Sequence, residues 1–177
     1  MNLQFLQSIK DEGLLLRRIN IRQVVPLRLQ HVAHSKSQLY RFKQAVNQNI
    51  NRTMLQQITP FGTVLKKVLL EVQRGNNTFG RQVGSYPLLV CLPYMKSVGC
   101  WVDVKIFDYG YRSITGIEFP LNINSASLSA LEQLPTVGKK RAVRLIQHRP
   151  FTTCEDIASI MDENFDVNAI LPWISLT

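Results

Sequence analysis

The sequence predicts an α+β protein in three parts: a helix–strand–helix segment over residues 1–58, a small β-barrel over 59–119, and a helical C-terminal domain over 120–177. Three observations predict it. Leu39, Phe42, Val46, Ile50 and Met54 recur at three- and four-residue steps, the period of an amphipathic helix. Between Thr63 and Glu118 the pattern changes to short β-branched and aromatic runs separated by Gly and Asn turns, which read as closely spaced strands. A helical period then returns on both sides of a Pro135–Gly138 turn.

Composition agrees with a folded chain that favours acidic partners. The 177 residues are 45% hydrophobic and 19% charged, with a formal net charge of +9. The charge is uneven. From Gly13 to Arg112 there are fifteen lysines and arginines against three acids, Glu71, Asp103 and Asp108. From Pro150 onward there are five acids and no lysine or arginine. Cys91, Cys100 and Cys154 form no CxxC pair, so a zinc ribbon or redox motif is not supported, and Cys91 in its apolar run reads as a small core residue. The chain shows neither a signal-peptide pattern nor an apolar run long enough to cross a membrane, so a cytoplasmic protein without membrane contact is expected.

In chain order, Leu3, Leu6 and Ile9 predict a helix that stops at Gly13. Residues 14–25 are rich in branched side chains, and Ile19 and Ile21 alternate with Asn20 and Arg22 as a strand would. Residues 26–35 read as a loop, with Ser35 placed to cap the helix over 36–57. The outer face of that helix is expected to carry Lys36, Arg41, Lys43, Asn47, Asn51 and Arg52, as a solvated face or as a nucleic-acid flank. In the strand region, Gly75 with Asn76 and Asn77 signals a hairpin, and Trp101 to Phe107 is the clearest strand. Phe79 and Trp101 are expected in the barrel core. Arg74, Arg81, Tyr86, Lys105, Tyr109, Tyr111 and Arg112 are candidate contacts to a nucleic-acid strand, with barrel packing as the alternative for each aromatic.

The C-terminal part is the most specific. Ser127 precedes Leu128, Leu131 and Leu134 and is placed as an N-cap. Pro135 ends that helix, and a second helix begins at once, with Ala142, Val143, Leu145 and Ile146 inward. Thr153 with Asp156 predicts a capping box for a third helix, and Trp173 is expected to pack back onto the domain. The Pro135–Thr136–Val137–Gly138–Lys139–Lys140 turn resembles the helix-hairpin-helix module, and the Asn122–Ser127 lead-in resembles that of bacterial competence DNA receptors. The resemblance implies a phosphate site at Thr136, Val137 and Gly138, where the first N–H groups of a helix lack internal partners, with Lys139, Lys140, Arg141 and Arg144 adding attraction. Thr136 departs from the glycine that the family's hairpin usually has there. A packing unit without ligand is the alternative reading.

The barrel, OB- or TRAM-like, resembles the RNA-binding TRAM domain through Glu71, Phe79–Gly80–Arg81 and the Val98–Gly99 turn. The whole chain resembles the C-terminal region of archaeal radical S-adenosylmethionine proteins of the methylthiotransferase type. In that resemblance residues 1–58 would be the remnant of a larger catalytic barrel, and the protein partner would be a radical-enzyme catalytic subunit. The CxxxCxxC cluster motif is absent, so no cofactor and no catalytic residue is assigned, and the chain is expected not to be an enzyme on its own. His31 and His34 lack a third ligand, so no metal site is assigned. Three functions remain open: nucleic-acid binding of DNA or RNA without sequence preference, an accessory part of a modifying enzyme, and a protein-interaction scaffold.

Overall fold

The computed structural model describes residues 2–16, 19–22, 36–85 and 87–177. The chain divides into two compact units, Met1–Pro60 with Tyr109–Ser113, and Phe61–Asp108 with Ile114–Thr177. His31, His34, Ser35 and Tyr86 lie outside the described residues, as do the whole 26–35 loop and residues 23–25 of the expected strand.

In the first unit, α1 (Asn2–Asp11) and α2 (Lys36–Val46) lead to a π-helical segment, Asn47–Asn51, which continues into α3 (Arg52–Ile58). The predicted apolar stripe is the core. Val46, Ile50 and Met54 are buried, with Leu3, Leu6, Leu16, Ile19, Ile21 and Phe42 packed against them. Full burial of such a side chain contributes roughly 1.5–3 kcal/mol. The expected outer face fails at Asn51. The π turn inserts an extra residue per turn and brings Asn51 inward, where it is 3% exposed. Its side chain donates to Asn47 Oδ1 at 2.9 Å and accepts the Ile19 N–H at 3.2 Å, so the buried amide is paired.

The strand expected over 14–25 does not form in the described residues 14–16 and 19–22. Leu14 and Leu15 are exposed, and the Ile19 N–H is satisfied by a side chain rather than by a neighbouring strand. Alternation alone does not make a strand there, because no partner strand is supplied among the described residues.

In the second unit, β1 (Val64–Arg74), β2 (Asn77–Gln82), β3 (Leu89–Leu92), β4 (Trp101–Tyr109) and β5 (Ser113–Glu118) form a closed barrel in the order β1-β2-β3-β5-β4. The α+β class and the small barrel are as predicted. Gly75–Asn76 makes the two-residue turn that sets Arg74 opposite Asn77. β1 pairs with β4 along one edge and β2 along the other, and its register shifts between Leu65 and Val68 and again between Leu70 and Val72. Such irregularities bend a strand sharply, which lets one long strand close a small barrel. Lys67 sits at the first shift with φ +52, and its N–H donates to Asp103 Oδ1 at 2.9 Å. Lys66 pairs with the other oxygen of Asp103 at 2.8 Å, and these contacts hold Asp103 below its ordinary range.

The barrel interior is lined by branched apolar side chains: Val68, Leu70, Val90, Leu92, Val104, Ile106, Ile114 and Ile117 are fully buried, and Cys91 is buried as predicted. Trp101 corrects the expectation of a core residue. Val102, Val104 and Ile106 follow the inward phase of β4, so alternation turns Trp101 outward, and it is 54% exposed. Phe79, also expected in the core, lies on the outward phase of β2 and is half-buried.

The chain leaves the barrel through β6 (Leu121–Asn122), which pairs in parallel with β7 (Ile174–Ser175) near the C-terminus. Between them lie α4 (Leu128–Leu131), α5 (Gly138–Gln147), α6 (Cys154–Ser159) and two short 3-10 turns. Thr153 and Asp156 form the predicted capping box. Leu131, Leu134, Leu145, Phe151, Ile157 and Ile170 fill this core, and Trp173, 5% exposed, is buried, with its edge-on partner Phe61 in the 59–119 segment rather than in the helical domain, at 5.9 Å. Ile146 corrects the inward face predicted for α5: it is 37% exposed, and Val143 is only half-buried, because the core is met chiefly by Ala142 and Leu145.

Gly116 is one of the tight points of the barrel. A Cβ there would lie 2.5 Å from Val104 Cγ1 and 2.6 Å from the Lys105 carbonyl oxygen. Gly116→Ala is expected to destabilise the second unit by about 1–3 kcal/mol, the scale of overpacking, read as a lowered midpoint in thermal unfolding.

Candidate nucleic-acid interface

The hairpin between α4 and α5 is built on caps and core contacts. Ser127 accepts the Ala130 N–H at 3.2 Å and starts α4. The chain then turns through bonds from Leu134 N–H to the Leu131 carbonyl and from Val137 N–H to the Leu134 carbonyl. Val137, 3% exposed, anchors the turn in the core. Thr136, at φ +62, occupies the left-handed region that a β-branched residue resists, so the turn takes this backbone without a glycine at that position. Gly138 takes φ +57 with open space where a Cβ would be, so its side of the turn faces solvent.

An arginine holds this strained turn. The Arg141 guanidinium donates from Nη1 to the Thr136 carbonyl, and from Nε and Nη2 to the two carboxylate oxygens of Asp162 at 2.9 and 2.6 Å. It also lies over the Phe165 ring, 5.1 Å from its centroid. Asp162 is held below its ordinary range and Arg141 above its own, each chiefly by their mutual hydrogen bonds.

The predicted site residues therefore divide. Gly138, Lys139 and Lys140 are exposed at the start of α5, whose first turn carries no acid. Neither lysine is ion-paired with a described residue. The first N–H groups of α5 thus meet a cationic, open surface suited to an oxyanion. Val137 does not belong to that surface, because its side chain is buried and its N–H is already bonded. Arg141 and Arg144 face the module instead: Arg144 donates to the Ile160 carbonyl at 3.1 Å. Arg149, which the sequence did not single out, donates to the Ala126 carbonyl at 2.7 Å and ties α5's end to the lead-in.

The barrel candidates divide in the same way. Lys105 donates to the Pro172 carbonyl at 2.6 Å and sits over the Trp173 and Phe119 rings at 4.5 and 4.9 Å, with desolvation lowering its pKa. It joins the barrel to the C-terminal turn and is not an open contact. Tyr109 is 8% exposed, its hydroxyl donating to the Thr59 carbonyl at 2.5 Å, so its ring is no platform. Arg81 is paired with Glu71 at 3.0 Å on the barrel surface, and Arg74 is exposed at the end of β1. Tyr111 and Arg112 are exposed in the β4–β5 turn. Trp101, at the start of β4, is exposed on the outer face of the barrel, as the alternation of that strand signals.

The clamp yields a pH prediction. Because Asp162's pKa is depressed on folding, its contribution is present above its ordinary value of 3.8 and is lost as pH falls through the lower folded value. Asp162→Asn is expected to lower the unfolding midpoint at pH 7 and to flatten the stability change in that acid window. The check is thermal unfolding of both proteins from pH 2 to 7.

Residues 119–162 match the helix-hairpin-helix motif. Two archaeal proteins, both described as uncharacterized, are similar over a longer stretch. One from Methanocaldococcus jannaschii is 44% identical over 126 residues, covering 66% of this chain and 23% of the relative. One from Archaeoglobus fulgidus is 36% identical over 153 residues, covering 81% of this chain and 29% of the relative. The chain thus spans about a quarter of the length of the relatives it matches. None of these findings links it to radical S-adenosylmethionine proteins. The chain carries a helix-hairpin-helix motif beside a closed five-stranded barrel, and that motif points in general terms to nucleic-acid binding.

Proposed function

We propose that the chain binds the nucleic-acid backbone through Gly138, Lys139 and Lys140, without reading base sequence. The observation that supports this most is the open start of α5. A left-handed glycine, unpaired helix N–H groups and two exposed lysines share one surface, from which the other α5 cations are turned away. Contacts of that kind go to phosphate, so they hold a protein on a strand without specifying sequence. The match of residues 119–162 supports the same reading.

No catalytic step is assigned to these residues. In the relatives the matching region is about a quarter of the chain, which supports a binding part that serves a larger protein. An accessory role in a nucleic-acid-modifying enzyme belongs to that proposal.

The test is a salt series. Affinity for random-sequence duplex is expected to fall linearly on a logarithmic salt axis. Replacing Lys139 and Lys140 with Glu is expected to weaken binding and reduce the salt slope by about one for each lost phosphate contact, while the unfolding midpoint stays where it was. Unchanged affinity and slope in the folded double variant would sink the hairpin reading.

A further inference from the structure

The outer face of β1, β2 and β4 carries a second surface. Leu69 on β1 lies opposite Arg81 on β2 and opposite Trp101 on β4, so the three side chains share one rung and one face. Val68 and Leu70, their neighbours on β1, are fully buried, which sets that rung outward. Beyond the shift between Leu70 and Val72, the pair Val72–Phe79 continues the same side, with Val72 37% exposed and Phe79 half-buried. Arg74 follows at the exposed end of β1.

The charges on this face favour a polyanion. Glu71 and Asp103 are each matched by a cation, Arg81 at 3.0 Å and Lys66 at 2.8 Å, so neither presents an unpaired carboxylate. Lys66 keeps 70% of its side chain exposed, and Arg74 and Lys67 are also exposed. An exposed tryptophan flanked by arginine and lysine is the pairing that holds an unpaired base on an aromatic ring and its phosphate on a cation.

We infer that the β1–β2–β4 face of the barrel binds single-stranded nucleic acid, with Trp101 as the stacking platform and the exposed cations that no described carboxylate matches, Arg74 and Lys67, as the backbone contacts. The inference rests on the nucleic-acid reading above and gives it a substrate class. The hairpin holds a phosphate backbone in either strand state. The barrel face needs a base whose flat side is free, which a duplex interior does not offer. A nucleic acid with an unpaired stretch is therefore the substrate that both surfaces can use.

The two tryptophans make the test direct, because Trp173 is buried and Trp101 is exposed. An oligothymidylate of about a dozen nucleotides, within the usual span of such barrels, is titrated against the protein and compared with a blunt duplex of equal length. Saturation with the single strand is expected to quench the Trp101 part of the emission. By anisotropy of the labelled strand, Trp101→Ala is expected to bind about tenfold or more weakly, and Trp101→Phe to retain most of the affinity because it keeps a ring. Duplex affinity should stay the same in both variants, and unchanged Trp173 emission shows that they are folded. If the wild type binds the single strand but Trp101→Ala binds it equally well, the platform is overturned while the hairpin reading stands. If the wild type binds neither strand nor duplex at low salt, both readings fall, and the face is left for a protein partner.

Discussion

The C-terminal module depends on the guanidinium of Arg141. A Thr at φ +62 is costly, and a tight turn of this kind leaves a carbonyl to be satisfied. Arg141 answers the second of these: it donates to the Thr136 carbonyl and is itself oriented by a two-point contact with Asp162. The planar fork of arginine suits this geometry, and a lysine in its place would offer a single point charge. The acids after Pro150 thus include the residue that orients Arg141.

That division of labour makes the surface selective. Three of the basic residues near the hairpin, Arg141, Arg144 and Arg149, point to backbone carbonyls or a carboxylate within the module. Lys139 and Lys140 are left at the N-terminal end of α5, where helix polarity already favours an anion. The barrel follows the same logic. Lys105 is desolvated between two rings and a carbonyl, tying β4 to the turn before β7, while the cations on the β1–β2–β4 face stay at the surface.

Much of the fold could be read in advance. The long amphipathic helix, the strand-rich middle, the Ser127 cap, the capping box at Thr153 and the return of Trp173 all follow from local rules. The errors share one cause. Asn51, Trp101 and Ile146 were assigned by periodicity or residue type, and each was decided by its neighbours: a π turn, the phase of β4, and how much of α5 the core covers. The strand expected near Ile19 had suitable residues but no partner among the described ones.

By itself, the sequence determined the α+β class, the order barrel then hairpin, and the excess of positive charge, because each depends on composition or on contacts a few residues apart. Only the tertiary structure decided which cations remain available. Arg141 meets Asp162 twenty-one positions later and Lys105 meets Pro172 sixty-seven positions later, so no local pattern could separate them from Lys139 and Lys140. The same holds for Trp101, whose place beside Leu69 and Arg81 exists only once β1 has bent to pair with both of its neighbours.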